Sequence, residues 1–336
     1  MMLDPSDAAT ELHRRRDSWS RYWQTGPLHS LGGSFRGNYE GGIRDFWVRM
    51  LAPMGPGHRV LDVGTGNGPI PALACELGNG QPPLVDAIDY ADIAPGWIAS
   101  APEACRRSIR FHPHTSVEAL PFPDAHFDLV TSQYALEYAD LDRALAQISR
   151  VMKAGGQLGL VAHHAQSRLV DVAREEVRLS EWLLAPGAVF DTAAGLYPYI
   201  AALAAGERDR VAADPAAAAA RNDFNSAQRR LAQIAEHCAY PDILLEARTF
   251  VAQRINALLL GTSGLQATQA AHDEFTGLLC GAMLRQRELC DSALDADGIA
   301  HWRARLGDFG LAAEVAVVHH REHLMGWQLN ATKAGG

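Results

Sequence analysis

Val60 to Gly68 reads VLDVGTGNG, an apolar strand that ends in an acid two residues before three glycines at alternating positions. Glycines leave only backbone in that turn, so a ligand can lie against the peptide units, and the following helix turns its N–H groups toward a negative group. Pro69 to Leu77 can begin that helix at its proline. An ordinary tight strand-to-helix turn shares the local pattern, so the surrounding residues decide. Asp89 closes the next strand 21 residues beyond Gly68, where an acid can accept two hydrogen bonds from ribose hydroxyls; a plain turn acid is the alternative.

Downstream, Pro83 to Ile88, Phe127 to Ser132 and Gln157 to Ala162, the last after Gly155-Gly156, read as further strands. Asp140 to Val151 repeats Leu141, Leu145, Ile148 and Val151 at helical spacing and so carries one apolar face. Strands alternating with helices predict a parallel sheet covered on both faces. After His164, Val and Ile runs give way to Leu, Ala and Arg until about Arg305, a block that reads as all helix. Asp214-Pro215 ahead of Ala216 to Ala220 fits an N-cap with proline at the first helical position, and Gly261 fits a stop for Asp242 to Leu260. Along that last helix Leu244, Ala247, Val251, Ile255 and Leu258 form a stripe, while the alanine run is expected to pack closely on a neighbour. Leu311 to Val318 and Met325 to Leu329 return to strand pattern and would rejoin the first sheet as an edge hairpin. The helical block is then an insertion.

A chain of 336 residues, 48% hydrophobic and 21% charged, can bury one large core or two small ones. Its 39 acidic and 30 basic residues give a net charge of −9 and no general attraction to phosphate backbones or anionic lipid. His13 to Arg16 and Arg229-Arg230 read as solvated helix faces, which disfavours nucleic acid as a partner. No apolar run reaches the roughly 20 residues of a membrane helix, and MMLDPSDAATELHRRR lacks a signal-like core, so the expected compartment is cytoplasmic with no membrane partner. Cys75, Cys105, Cys238, Cys280 and Cys290 contain no CxxC pair and are expected as reduced thiols.

VLDVGTGNG, Asp89, SVEALPFPDAHFDLVTSQYALEY from Ser116 to Tyr138, and RVMKAGG from Arg150 to Gly156 occur in an order that resembles class I S-adenosylmethionine-dependent methyltransferases, with type-11 or ubiquinone-biosynthesis-like motifs. The likeness covers Arg59 to Ala162 and reaches the Gly307 to Leu329 hairpin. It implies an α/β fold, a three-layer Rossmann-like seven-stranded methyltransferase sandwich parallel apart from its last strand, here with an all-helical cap. The domain reading is an N-terminal aromatic helical lid at 1–50, a core binding S-adenosyl-L-methionine at 51–164, a helical substrate cap at 165–305, and a final strand hairpin at 306–336. GxGxG with Asp62 two residues before it departs from the GxGxxG of dinucleotide sites, which favours the sulfonium cofactor. By the resemblance Gly64, Gly66 and Gly68, with Thr65 among them, face the methionine portion, Asp62 reaches its amino group and Asp89 holds the ribose. The family usually has an acid where Ser116 stands, receiving the adenine amino group, with the next backbone N–H, here that of Val117, on the ring. Ser116 can accept that bond, but without charge. Gln133 falls where the family often touches cofactor.

Trp19, Tyr22, Trp23, Phe35, Tyr39, Phe46 and Trp47 make the N-terminal stretch aromatic, and it is expected to fold over the cofactor. The family often supplies a Tyr or Arg to the methionine carboxylate from this segment, which makes Tyr22, Arg36 and Tyr39 candidates; Trp47 is expected to be packing. Methyl transfer from a sulfonium is an in-line displacement, so the protein must align the acceptor and remove water. An alcohol or phenol acceptor would use a general base, whereas a carboxylate is already ionised near neutral pH. His163 and His164, just past the fourth recognised strand, and Tyr134 are the candidate catalytic groups, with a surface or capping role an equal reading for either histidine. Glu137 and Tyr138 are candidates for the acceptor site. No metal is expected: neighbours such as His319 and His320 face opposite ways in an extended chain, and nothing completes four ligands around His112 and His114. Asp291 to Gly298 holds the DADG of a calcium loop without its other acids and reads as a helix-ending turn. The expected activity is oxygen methylation of a biosynthetic small molecule or modified peptide, with a peptide carboxylate among the acceptors. Nitrogen methylation and a non-catalytic cofactor-binding protein are the alternatives, and the sequence leaves room for a homo-oligomer.

Overall fold

A computed structural model describes residues 5–30, 35 and 37–335. Two helices, α1 (Pro5–Gln24) and α2 (Gly41–Leu51), precede β1 (Arg59–Val63), α3 (Pro69–Leu77), β2 (Leu84–Ile88), α4 (Glu103–Ser108), β3 (Ile109–His112), β4 (Phe127–Gln133), α5 (Leu141–Val151) and β5 (Met152–Ala162). Seven helices follow: α6 (Arg168–Leu184), α7 (Val189–Ala204), α8 (Arg208–Ala213), α9 (Pro215–His237), α10 (Asp242–Leu259), α11 (Leu265–Ser292) and α12 (Ala296–Asp308). Strands β6 (Leu311–His320) and β7 (His323–Lys333) end the described chain. None of the described helices is long and apolar enough to cross a membrane.

The seven strands form one sheet in the order β3-β2-β1-β4-β5-β7-β6. It is parallel from β3 through β5, and β7 runs antiparallel to both β5 and β6. This is the seven-stranded α/β sandwich that the motifs imply. The short strand β3 is absent from the pattern reading, and β5 begins at Met152, ahead of the Gly155-Gly156 pair, not after it. β1 is buried over four of its five residues because helices cover both sheet faces. Val60, Leu129 and Val161 pack on one face with Ile43, Phe46 and Trp47 of α2 and Leu73 of α3. Leu61, Val130 and Leu160 pack on the other face with Leu145 and Ile148 of α5 and Trp302 and Leu306 of α12. At the start of α5, Asp140 accepts the Arg143 N–H at 3.0 Å, which satisfies one of the helix's orphan donors.

The chain divides into two compact units, Met1–Asp171 with Glu288–Gly336, and Val172–Arg287. The helical unit has its own core, in which Leu183, Tyr197, Leu231, Leu244, Ala247 and Val251 are fully buried. Asp214 caps α9 through the Ala216 N–H at 2.8 Å, and Gly261 lies just past α10 at φ +68. Of the alanine run only Ala217 is buried. The bounds are narrower than the 165–305 of the sequence reading because α12 buries Ile299, Trp302 and Leu306 against the sheet. The Asp291 to Gly298 segment starts a helix as well as ending one, since Asp295 caps α12 through the Gly298 N–H at 2.8 Å. One expectation fails outright: Cys75 of α3 and Cys105 of α4 are joined in a disulfide, while Cys238, Cys280 and Cys290 stand outside that bridge. Their separation of 30 residues carries no hint that the fold brings α3 and α4 together.

Candidate functional site

The turn after β1 is possible only for glycine at its three key positions, where Gly64, Gly66 and Gly68 have φ of +68, +53 and +78. A Cβ on Gly66 would lie 2.5 Å from the Trp23 ring, and one on Gly68 would lie 2.9 Å from Phe111. Asp89 clamps the turn to the end of β2: Oδ2 accepts the Gly66 N–H and Oδ1 accepts the Ala91 N–H, both at 2.8 Å. Burial pushes the Asp89 carboxyl up to about 6 against the lowering effect of those N–H bonds. The loop also holds the N-terminal segment, because Asn67 Nδ2 donates to the carbonyls of Trp23 and Pro27 at 2.9 and 2.7 Å.

A cavity opens over this turn, bounded by the ends of β1, β2 and β4 and by Trp19 and Trp23 of α1. On its wall Asp62, 1% exposed, accepts the Thr131 hydroxyl on Oδ1 at 2.7 Å, while Oδ2 has no hydrogen-bond partner. Burial pushes Asp62 up to about 7; the Thr65 and Thr131 hydroxyls oppose that rise and Asp89 reinforces it. Gln133 accepts the indole N–H of Trp47 on Oε1, and its Nε2 is buried without a partner. Tyr134 sits at φ +52 and donates its hydroxyl to the Met325 carbonyl at 3.1 Å. Burial raises the hydroxyls of Tyr134, Tyr138 and Tyr39 above their ordinary range, so all three are neutral donors at physiological pH. His29 stacks on Tyr39 with ring centroids 5.0 Å apart, its Nε2 lies 2.9 Å from the Gly37 carbonyl, and burial lowers its pKa.

Of the residues singled out in the sequence, Asp62, Gly64, Thr65, Asp89, Ser116, Val117, Gln133, Tyr39, Tyr134 and Tyr138 all line this cavity. The Ser116 hydroxyl accepts the Glu118 N–H at 3.2 Å. Gly66 and Gly68 do not line it; they sit beneath Trp23 and Phe111. Tyr22 also lies off the lining and donates its hydroxyl to the His29 carbonyl at 3.3 Å, and Arg36 falls outside the described residues. Glu137, His163 and His164 lie off the lining as well. Glu137 is buried, accepts the His163 backbone N–H at 2.9 Å and lies 3.3 Å from His163 Nδ1. Burial pushes Glu137 up to about 7 and His163 down to about 3, so His163 is neutral at physiological pH. His164 stacks on Trp327 at 4.3 Å and accepts the Gln166 N–H on Nδ1 at 3.0 Å. Sequence reasoning missed His29 as a cavity residue and the Trp47 to Gln133 bond; partners 86 residues apart leave no local signal. Among the described residues no three of His, Cys, Asp and Glu are grouped to hold a metal ion.

The methyltransferase domain family (Methyltransf_11) matches residues 61–160. The chain is 35% identical over 140 residues to an uncharacterized methyltransferase, YcgJ, of Bacillus subtilis (strain 168), covering 37% of this chain and 53% of that one. It is 34% identical over 123 residues to the ubiquinone/menaquinone biosynthesis C-methyltransferase UbiE of Shewanella frigidimarina (strain NCIMB 400), covering 35% and 48%. The chain thus spans about half the length of these curated relatives. A solved structure described as the [4+2]-cyclase SpnF aligns with 97% of this chain and 95% of its own at 15% identity and a TM-score of 0.43, a likeness too low to bear on activity.

Proposed function

We propose, from the premise that residues 61–160 are a methyltransferase domain, that the chain is an S-adenosylmethionine-dependent methyltransferase whose acceptor is a carboxylate of a small molecule or modified peptide, methylated on oxygen. The cavity suits the donor on the chain's own terms. Asp62 Oδ2 is buried and unpartnered, which costs free energy until a donor such as an amino group meets it. Bare backbone at Gly64 lets the turn and Ala135, both on the cavity lining, approach as a side chain there would not, since a Cβ would strike Ala135. Asp62 would take the amino group, Asp89 the ribose hydroxyls through its remaining lone pairs, and Ser116 with the Val117 N–H the adenine edge. When bound, S-adenosylmethionine supplies an electrophilic methyl group on a sulfonium.

The carboxylate reading rests on one observation: among the described cavity residues outside the donor's own contacts no base stands uncommitted, since the one carboxylate there, Glu118, accepts the Asp140 N–H and pairs with Arg143. Tyr134 and Tyr138 are held as neutral donors, and Tyr134 is already spent on the Met325 carbonyl. Burial makes His29 a weak base, and His163 and His164 lie off the cavity lining. An acceptor that arrives ionised needs only alignment and exclusion of water, which the walls of Trp19, Trp23, Tyr39 and Tyr138 provide. The test is incubation with methyl-labelled donor and a pool of carboxylate-bearing metabolites and peptides. Label released as methanol by mild alkali is the expected result; alkali-stable label, or none, overturns the reading. The described cavity residues all belong to the unit that holds the sheet, so we assign the helical unit Val172–Arg287 to acceptor choice, not donor binding. A chain with that unit replaced by a short linker is expected to bind S-adenosylhomocysteine and lose transfer; retained transfer refutes the assignment.

A further inference from the structure

The Gln133 amide has one orientation its surroundings accept. The indole N–H of Trp47 is a donor and nothing else, so the amide atom facing it must be the oxygen and the NH2 must turn away. That NH2 is buried without a partner on a cavity residue only 7% exposed. Asp62 Oδ2, on the same cavity wall, is an equally buried acceptor without a partner. A donor and an acceptor are both costly to bury unmade. A ligand that offers a carboxylate to one and an ammonium to the other completes both, and an α-amino-acid head has both groups on one carbon.

We infer that Trp47 is a positioning residue: by fixing the Gln133 amide it makes that NH2 the donor to the carboxylate of the methyl donor's amino-acid head, whose ammonium Asp62 takes. The inference rests on the proposed reading of the cavity as the S-adenosylmethionine site. Trp47 is fully buried between α2 and the sheet, where packing alone would call for any large apolar side chain. Its indole N–H is the polar group that phenylalanine, a smaller ring, does not supply. Without that N–H the amide is free to turn, and its oxygen would then face a carboxylate.

The test is titration calorimetry of the full chain with S-adenosylhomocysteine and with 5′-methylthioadenosine, which shares the adenosine but lacks the amino-acid head. Trp47→Phe is expected to weaken S-adenosylhomocysteine about tenfold and to leave methylthioadenosine within about twofold. Gln133→Met should shift the ratio of the two affinities in the same direction. Equal weakening of both ligands in Trp47→Phe would mark a packing role, and unchanged affinities would mark none; either overturns the inference. Should Trp47→Phe fail to fold, nitrogen-15 spectra of indole-labelled chain decide: Gln133→Met is expected to move the Trp47 indole resonance, and an unmoved resonance overturns the assignment. A wild-type chain that binds neither ligand removes the methyltransferase reading and the inference with it, whereas wild-type binding with a failed variant pattern removes the inference alone.

Discussion

An alanine at position 66 probes whether the N-terminal helix is seated on the glycine turn. Its Cβ would lie 2.5 and 2.6 Å from Cζ2 and Cη2 of Trp23, well inside van der Waals contact, at a backbone φ of +53. Two costs therefore add. Holding a side chain in the left-handed region costs about 1–2 kcal/mol, and forcing an extra methyl into a packed contact costs about 1–3 kcal/mol. Gly155→Ala separates them, because Gly155 has φ +73 with nothing within 4 Å of a new Cβ. Only the backbone cost of about 1–2 kcal/mol applies there. In urea unfolding followed by tryptophan fluorescence, Gly66→Ala is expected to lose about 2–5 kcal/mol in total. Its native emission should also shift as Trp23 is displaced. If both variants lose the same stability and neither changes the emission, Trp23 does not rest on the turn and the steric reasoning is wrong.

Donor binding should release a proton near neutrality, because Asp62 holds its proton to about 7 until an ammonium meets it. Calorimetry with S-adenosylhomocysteine in buffers of different ionisation enthalpy is expected to show that release in the wild type and not in Asp62→Asn. The same shift has a sign for stability. Asp62 in the fold titrates at about 7 against an ordinary 3.8, so its contribution is full below about 3.8 and lost as pH rises toward 7. The stability difference between wild type and Asp62→Asn should therefore fall across that window; a rise refutes the burial account. Tyr134→Phe leaves the Met325 carbonyl without its donor and is expected to cost about 0.5–1.5 kcal/mol by denaturation. Titration of the denatured, unreduced chain should find three thiols, and reduction of the Cys75 to Cys105 bridge should lower stability by about 2–4 kcal/mol.

The glycine turn, β1, α3 and α5 were legible because each combines local punctuation with a buried face, and local signals are what a sequence carries plainly. β3 was not: its four residues, IRFH, are too few to show an alternation. The hairpin strands run past the sequence bounds because their ends, His319 to His320 and Asn330 to Lys333, are polar apart from the buried Ala331 and are recruited chiefly by pairing across the hairpin. α12 shares the composition of the insertion, and only its packing on the sheet assigns it elsewhere. Within the site, Asp62, Asp89 and Gln133 could be placed by topology, since strand ends gather at one edge of a parallel sheet. What each atom bonds to could not. The Trp47 to Gln133, Tyr134 to Met325 and Cys75 to Cys105 pairings are decided by tertiary approach alone.

The antiparallel strand that borders β5 also constrains the order in which the molecule can be made. Gln157 pairs with Thr332 and Ala162 with Trp327, so one side of β5 waits for a partner synthesised only after the whole helical stretch has left the ribosome. During that interval the emerging polypeptide exposes a row of unsatisfied amides and carbonyls along an apolar strand, the geometry that recruits strands from other nascent chains. Translation stalled before residue 311 would leave that edge bare, making the final hairpin a seal against aggregation as much as a part of the sheet.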